Sequence, residues 1–599
     1  MVINRNSSLN ASTDPGLAHL WATLRGSGST SRRDLLRWSA IVAGAVATST
    51  SGIVSRRASA AAARQDAAVA TGVEISVPFD AYGTTFMLDP HRSPDYGGFW
   101  VMYPNVWAGL LGFDENGGVV LDLAETAVVS DDGLSYTFTL LPDLFYASGN
   151  PILAEHFIAS WKRALDPANL SPMAQFMSLV EGFDAWIAGE EGAELGFEAP
   201  DEKTLIVRLS EPATYFPSYM ATFVWAVVDP AVIEAFGQTN FVLNYAGAGP
   251  WAFSAYTLDE VFEMTPNPYY YGGPNPSISK IIWPIVTGPT AAQEALDLYL
   301  SDQAVSADVP LSLLEQVQAD PVASAELRVL DAAPTSVRSL AMNFARPPFD
   351  DVRVRQAFGL AFDRVSFVEP YAGTWVPAMA FTPPSVTQLS GYEPPVAPEV
   401  DVDAARALLE EAGVAGENFP EVIYYHPTED TDLEKDRIRS MLGMLGGNLG
   451  VTLLFDPNRT QEQIDAIRAD EGVQLELVWW QSITMTPHLL TEVFRSDSPY
   501  MAGIFNWSPD LPPVGGFDPG AASAQFDELV AQADQEADTD TRNGLFAQAE
   551  QLMLDNAVYV PIANWTPMYV QKPWLVGTRQ GSWTGRLPIV FDADVVVLA

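Results

Sequence analysis

The residues able to do chemistry in this chain are few and scattered. Its 599 residues include five histidines, His19, His91, His156, His426 and His488, and no cysteine. Without cysteine there is no disulfide framework, no thiolate zinc site, no iron–sulfur cluster and no thiol nucleophile. A lipid tether on an N-terminal cysteine is excluded for the same reason. The histidines are far apart in sequence, and a lone histidine reads as a satisfied core or surface group before it reads as a metal ligand. No nucleophile elbow, P-loop, G-x-G-x-x-G turn, H-E-x-x-H helix or calcium-binding loop is present. The segment Asp538-Thr539-Asp540-Thr541-Arg542-Asn543-Gly544 imitates the start of a calcium loop. It puts Arg542 where an oxygen ligand belongs, so it reads as a capped helix start. Carboxylates are abundant enough to form a glycosidase-type pair somewhere. The spacing nominates no two of them, so an exported carboxylate-dependent hydrolase stands only as an alternative. The motifs that catalysis would need are missing, and the residues call for no metal and no cofactor.

Charge narrows the partners. There are 31 Lys plus Arg against 75 Asp plus Glu, a formal net charge of -44. Gripping phosphates needs basic side chains, so nucleic acid is not an expected partner. At 48% hydrophobic residues, with 16 Trp, 20 Tyr and 30 Phe, the chain has ample surface to bury and is not a disordered sequence. Its length suggests two to four domain-sized units at roughly 100–200 residues each.

The N-terminal region reads as an address. Arg32-Arg33 is followed by Leu35-Leu36, a weakly apolar run from Trp38 to Thr48, then Arg56-Arg57 and Ala58-Ser59-Ala60. A basic segment, a short apolar segment and a small-residue site make a secretory signal. The paired arginines resemble a twin-arginine signal, a route that exports folded proteins. The apolar run is too short and too weak to serve as a membrane anchor. Removing residues 1–60, with their seven Arg and two Asp, leaves 24 basic and 73 acidic side chains, a net of -49. That excess suits a solubilising outer surface. No later stretch reaches the length of a membrane span. The best candidate, 220–228, is cut short by Asp229-Pro230 and is expected to be a buried strand.

The elements behind these residues are mixed. Ser135-Tyr136-Thr137-Phe138-Thr139-Leu140 alternates apolar with hydroxyl side chains, the pattern of a half-buried strand, after an Asp131-Asp132-Gly133 turn signal. A second strand is expected over 203–209. Apolar residues at 154, 157, 158, 161, 164 and 165 have helical spacing, ended by Asp166-Pro167. Val402–Ala412 is a helix with Asp401 able to cap its start and Gly413 placed for a left-handed end. A further helix is expected over 542–556. Interleaved helices and strands with 45 Pro and 43 Gly describe α/β lobes with substantial loops.

Several segments, taken in order, carry a family likeness. They are Met87-Leu88-Asp89-Pro90-His91 with Trp107-Ala108-Gly109-Leu110-Leu111; Asp132-Gly133-Leu134-Ser135-Tyr136-Thr137-Phe138, running on to Trp161-Lys162-Arg163-Ala164-Leu165-Asp166-Pro167; Gly247-Ala248-Gly249-Pro250-Trp251 with Asn267-Pro268-Tyr269-Tyr270; and Pro347-Pro348-Phe349-Asp350-Asp351-Val352-Arg353-Val354-Arg355-Gln356-Ala357-Phe358. Residues 404–413 and Phe526-Asp527-Glu528-Leu529 complete the series. The chain resembles the extracytoplasmic solute-binding proteins of the oligopeptide, dipeptide and nickel class, the ligand-capturing subunits of ATP-driven importers. Most of these blocks also have a purely structural reading. In the last one, Asp350 or Asp351 belongs near a helix N-terminus, and Arg353 and Arg355 read as structural ion pairs.

The resemblance implies an α/β, two-lobed fold of the type II periplasmic-binding-protein kind, with an extra subdomain in lobe one. On this chain, 61–335 would form lobe one, with the extra subdomain near 105–225. Lobe two would be 336–558, and 559–599 would return to lobe one. Crossings are expected near 337–342 and 559–563. A ligand would bind between the lobes, which close over it, and a membrane permease would receive it. The protein is expected to be a free monomer outside the cytoplasm. A sensor or chaperone-like binder on the same fold is a further alternative.

The resemblance also nominates a pocket. Peptide-binding members carry a Trp in one cleft loop, followed shortly by an aspartate for the peptide's ammonium group. Here the loop reads Glu476-Leu477-Val478-Trp479-Trp480-Gln481-Ser482-Ile483, with Ile483 at the aspartate position and Leu477 at a neighbouring arginine position. An ammonium group buried without a counter-charge is costly, so a peptide with a free N-terminus is disfavoured. Trp479, Trp480, Gln481 and Ser482 offer aromatic faces, an amide and a hydroxyl, suited to a sugar, a glycoside, a flat or capped organic solute or a quaternary cation. Neighbouring strand residues face opposite sides, and Trp480 is favoured for the cleft. Tyr96, Trp100, Trp107 and Trp507 are further candidates.

Overall fold

Separate hydrophobic cores underlie two lobes. The computed structural model describes residues 54–55, 70–80, 88–92, 103–114, 117–257, 260–288, 290–329, 334–470, 472–481, 485–498, 500–578 and 595–597. The expected signal segment falls outside these residues except for 54–55.

The first lobe carries a four-stranded antiparallel sheet in the order Ala124–Val129, Ser135–Leu140, Thr204–Arg208, Phe197–Glu198. The alternation read from the sequence is real burial: Tyr136, Phe138 and Leu140 point inward while the hydroxyl residues are half-buried. Helix Ala154–Ala164 lays Phe157, Trp161 and Ala164 on the same core. The Trp161 indole N–H donates to the Trp225 carbonyl at 2.9 Å, which satisfies its one polar atom inside the lobe. A five-stranded mixed sheet follows, built from Trp251–Thr257, Val261–Pro266, Ile278–Val286, Val73–Ser76 and Phe79–Asp80.

The second lobe is organised by an antiparallel sheet in the order Trp375–Pro377, Tyr559–Trp565, Ser336–Met342, Leu475–Gln481. Its two faces cover different cores. Leu340, Met342, Leu475 and Ile562 pack on one side with helices Val352–Ala361, Val402–Ala412 and Asp432–Leu449. Val337, Ala341, Val478 and Tyr559 pack on the other with Leu489–Phe494, Pro519–Gln535 and Thr539–Asp555. Strand Tyr559–Trp565 is followed at once by Met568–Gln571, which pairs with Ser306–Asp308 and Leu327–Val329. A short turn therefore carries the chain from one sheet to the next.

Local capping explains the helix ends. Asp401 accepts from the Ala404 N–H at 2.9 Å and Gly413 closes the helix at φ 78°, a conformation that costs glycine little. Asp538 caps at the Thr541 N–H, 2.9 Å away, so the last long helix starts at Thr539 rather than 542.

Two expectations need correction. Segment 220–228 is not a strand. It finishes helix Phe216–Met220, turns through a 3₁₀ stretch Phe223–Trp225 and continues as irregular buried backbone. Its amides are satisfied by single bonds such as Val227 N–H to the Ala108 carbonyl at 3.0 Å rather than by a ladder. Arg353 does pair with Asp351, at 2.5 Å, and Asp351 caps helix Val352–Ala361. Arg355 is different. It is fully buried and donates to the carbonyls of Phe349, Asp350 and Asn556 while its guanidinium lies 3.5 Å over the Phe344 ring. It is a tie between chain segments and not an ion pair.

Candidate functional site

A cavity of about 360 Å³ lies between the lobes. One wall comes from the first lobe, through Pro78, Ala291, Ala295 and Asp308. The facing wall carries Arg338, Tyr371, Trp375, Glu434 and Arg437, and the chain returning between sheets adds Trp565 and Met568. Strands and a helix N-terminus fix these groups. Arg338 is the single charged residue in the strand Ser336–Met342. Glu434 sits in the first turn of helix Asp432–Leu449, where Thr431 caps the Glu434 N–H at 3.2 Å.

The charged groups form a connected set. Arg338 donates to Glu434 Oε1 at 3.1 Å, and Arg437 reaches Glu434 Oε2 at 3.4 Å. One carboxylate thus serves two guanidiniums. Arg338 lies 5.2 Å over the Trp375 ring and Arg437 4.4 Å over the Tyr371 ring. Burial works against the Arg338 charge, but Glu434, Tyr371 and Tyr424 offset it and leave the guanidinium held more firmly protonated than usual. Burial also pushes the Tyr371 hydroxyl up to about 12. Arg437 Nε is buried with no hydrogen-bond partner among the described residues. An unpaired donor of this kind costs free energy until an acceptor arrives.

Neither Trp479 nor Trp480 is among the residues that line this cavity, though Trp479 stands next to one that is. Trp479 pairs across the sheet with Arg338, is 48% exposed, and stands edge-on to the cavity-lining Trp565. Trp480 points to the other face of the sheet. It is half-buried beside Tyr500, with ring centroids 4.9 Å apart, and its Nε1 is buried without a partner among the described residues. Gln481 ends the strand and is half-buried. The structure puts Trp107 in the first-lobe core and Trp507 in a second-lobe core, where its Nε1 donates to the Pro519 carbonyl at 3.0 Å. Both are under 5% exposed, so neither presents a face to a ligand in this arrangement. Ser482, Ile483, Tyr96 and Trp100 lie outside the described residues.

Residues 118–502 match the model of the middle region of the bacterial extracellular solute-binding proteins, family 5. The chain belongs to that family. As a family 5 binding protein it has similar relatives across most of its length. It is 26% identical over 508 residues to the probable deoxycholate-binding periplasmic protein YgiS of Escherichia coli, covering 82% of this chain and 88% of that one. It is 26% identical over 484 residues to the periplasmic murein peptide-binding protein MppA of the same organism, covering 79% and 84%. The unliganded open form of the murein tripeptide-binding protein MppA superposes with a TM-score of 0.72 at 22% identity, covering 89% of this chain and 99% of that structure. The two-lobed α/β fold is the family's, and the family is one of binding proteins rather than enzymes. Among the described residues no helix is long and apolar enough to cross a membrane.

Sequence reasoning named none of the cavity residues Arg338, Tyr371, Trp375, Glu434, Arg437 and Trp565. The one local signal was Arg338 itself, the single charge in the strand Ser336–Met342.

Proposed function

We propose that this family 5 binding protein is the solute-capturing subunit of an ATP-driven importer. It is exported through the twin-arginine route, acts as a monomer, and passes its ligand to a membrane permease. The ligand is a polar organic solute with an anionic or strongly hydrogen-bond-accepting group, such as an oligopeptide-like molecule lacking a free ammonium terminus. The observation that carries this reading is the interlobe cavity in which Arg338 and Arg437 share the single Glu434. An incoming acceptor would meet the guanidinium groups of Arg338 and Arg437 on the cavity wall, with the rings of Trp375, Trp565 and Tyr371 beside them. The resemblance puts Ile483 where peptide-binding members carry an aspartate, which supports the choice against an ammonium group. The names of the relatives, deoxycholate-binding and murein peptide-binding, describe ligands of a compatible kind.

The test is a thermal-shift screen followed by calorimetric titration, using N-acetylated and free tripeptides, bile acids, neutral oligosaccharides and quaternary amines. Anionic and capped solutes are expected to raise the melting temperature. Binding confined to quaternary amines would overturn the ligand class, and silence from every class would overturn solute capture. Export is tested by Arg32→Lys with Arg33→Lys. The precursor should then stay in the cytoplasm, and unchanged export would refute the twin-arginine route.

A further inference from the structure

A second interlobe contact lies apart from the cavity residues. Tyr219, from helix Phe216–Met220, belongs to the first-lobe core. His488 precedes helix Leu489–Phe494, whose Leu489, Leu490, Val493 and Phe494 build a second-lobe core. Between them runs a line of three side-chain hydrogen bonds. Glu492 Oε1 is 2.8 Å from the Tyr219 hydroxyl, that hydroxyl is 3.1 Å from His488 Nε2, and His488 Nδ1 is 2.7 Å from Asp534 Oδ1 on helix Pro519–Gln535. The Tyr215 ring stacks on the imidazole, 3.4 Å away and 10° from parallel. The Thr214 N–H donates to the Asp534 carbonyl at 3.2 Å.

Counting hydrogens gives this line a property its individual bonds lack. Three contacts need three hydrogens, and the Tyr219 hydroxyl supplies only one. With Glu492 ionised, Tyr219 donates to Glu492, so His488 must carry hydrogens on both nitrogens to reach Tyr219 and Asp534. With Glu492 protonated, Glu492 donates to Tyr219, Tyr219 donates to Nε2, and a neutral His488 donates from Nδ1 to Asp534. The two arrangements hold the same number of protons and complete the same three bonds. Removing one proton leaves two acceptors facing each other at Tyr219–Glu492 or Tyr219–His488, and it leaves two ionised carboxylates around a neutral imidazole. The other charged and titratable groups facing the cluster are Tyr215, Glu211 and Arg495, and Arg495 is already paired with Asp497 at 2.6 Å.

We propose that Tyr219, His488, Glu492 and Asp534 form a proton-dependent clasp that holds the two lobes in this arrangement, so that the clasped population falls when the cluster loses a proton. Burial favours the protonated side, since it holds the Glu492 carboxyl above its ordinary range. The sign follows. A group raised in the clasped state contributes fully below its ordinary value, and its contribution is lost as pH rises through the raised one. The clasp joins lobes rather than touching a solute, so the inference does not depend on the ligand proposed above.

The absence of cysteine makes the test direct. Val128→Cys and Val365→Cys, both at exposed positions (61% and 67%), place one spin label on each lobe of the full chain without ligand. Pulsed electron resonance then reports the interlobe distance between about pH 5 and about pH 9, a range that brackets a raised carboxylate. The clasped-to-unclasped ratio is expected to fall with rising pH, at most about tenfold per pH unit for one proton. Glu492→Gln supplies a permanent donor to Tyr219 and should keep the clasped distance at every pH. Tyr219→Phe removes the shared hydroxyl and should abolish the pH response with the lobes unclasped. A distance distribution in the otherwise unsubstituted labelled chain that does not change with pH overturns the clasp. So does a Glu492→Gln chain that keeps the same pH response.

Discussion

Trp479 stands edge-on to Trp565, with ring centroids 6.1 Å apart and planes at 82°. The first comes from strand Leu475–Gln481 and the second from the end of strand Tyr559–Trp565, two strands apart in the same sheet. An aromatic pair at such an angle gains about 0.5–1.5 kcal/mol beyond its buried area. Trp479 is half exposed, so part of its side chain is accessible to a solute. Trp479→Ala should therefore cost about 1 kcal/mol of stability or less, yet weaken binding of the best solute from the screen about tenfold or more. Thermal melting and calorimetric titration of the same preparation separate the two effects. Unchanged affinity would remove Trp479 from the site.

Arg437 makes a sharper discrimination. Its one ion-pair contact is long, at 3.4 Å, and its Nε has no partner among the described residues. Removing one partner of a buried ion pair is costly when it leaves the other charge uncompensated, and here Arg338 keeps Glu434 paired. Arg437→Met is accordingly expected to change stability by about 1 kcal/mol at most, because Arg338 still pairs Glu434. Affinity for anionic solutes should fall about 10- to 100-fold, the loss of a charge-assisted hydrogen bond of about 1.5–3 kcal/mol, while affinity for neutral solutes holds. Equal losses for anionic and neutral solutes would show that Arg437 shapes the wall and does not read charge.

How much of this was legible beforehand depended on the range of the interactions. Helix Val402–Ala412 was found with its true ends because both caps, Asp401 and Gly413, are local. The strand Ser135–Leu140 was found because burial alternates along it. Segment 220–228 was misread because a short apolar run is equally compatible with any buried backbone, and only its bonds to Ala108 and its 3₁₀ turn decide the matter. The family blocks foretold two lobes. The cavity was not legible, because Arg338, Tyr371, Trp375, Glu434 and Trp565 come from separate segments and meet only through the sheet and one helix start. Strand parity separated Trp479 from Trp480, but parity alone does not say which of the two faces is open.

Glu550 tests what holds the second lobe together. It is fully buried and accepts from Phe381 N–H at 2.9 Å, Thr382 Oγ1 at 2.8 Å, Tyr392 at 2.6 Å and Tyr559 at 3.0 Å. Burial raises its carboxyl, with the surrounding donors pulling the other way. Glu550→Ala orphans all of these donors at once and should destabilise by about 3–5 kcal/mol, the usual cost of breaking a buried charged network. Glu550→Gln keeps an acceptor for part of the set, and the hydroxyls can rotate to meet its amide, so it should cost less than half as much. Chemical denaturation of the two variants checks the ordering, and equal losses would mean that the ionised form is needed.

His91 sets an acid limit on the first lobe. Its Nδ1 accepts from Arg163 at 2.9 Å, so the hydrogen sits on Nε2 and is donated to the Ala226 carbonyl at 3.1 Å. Arg163 is in turn paired with Asp89. Complete burial first, and then the Arg163 charge, lower the imidazole from 6.5 to about 4. Between those values the unfolded chain binds a proton that the folded chain refuses, so the stability His91 allows above pH 6.5 is lost as pH falls towards 4. The full loss is about 3 kcal/mol at 1.36 kcal/mol per unit. His91→Gln can accept from Arg163 and donate to Ala226 without titrating. Urea denaturation across this range should show the wild type losing about 3 kcal/mol more than the variant, with the gap opening below pH 6.5. Parallel curves would assign the acid sensitivity of the lobe to other groups.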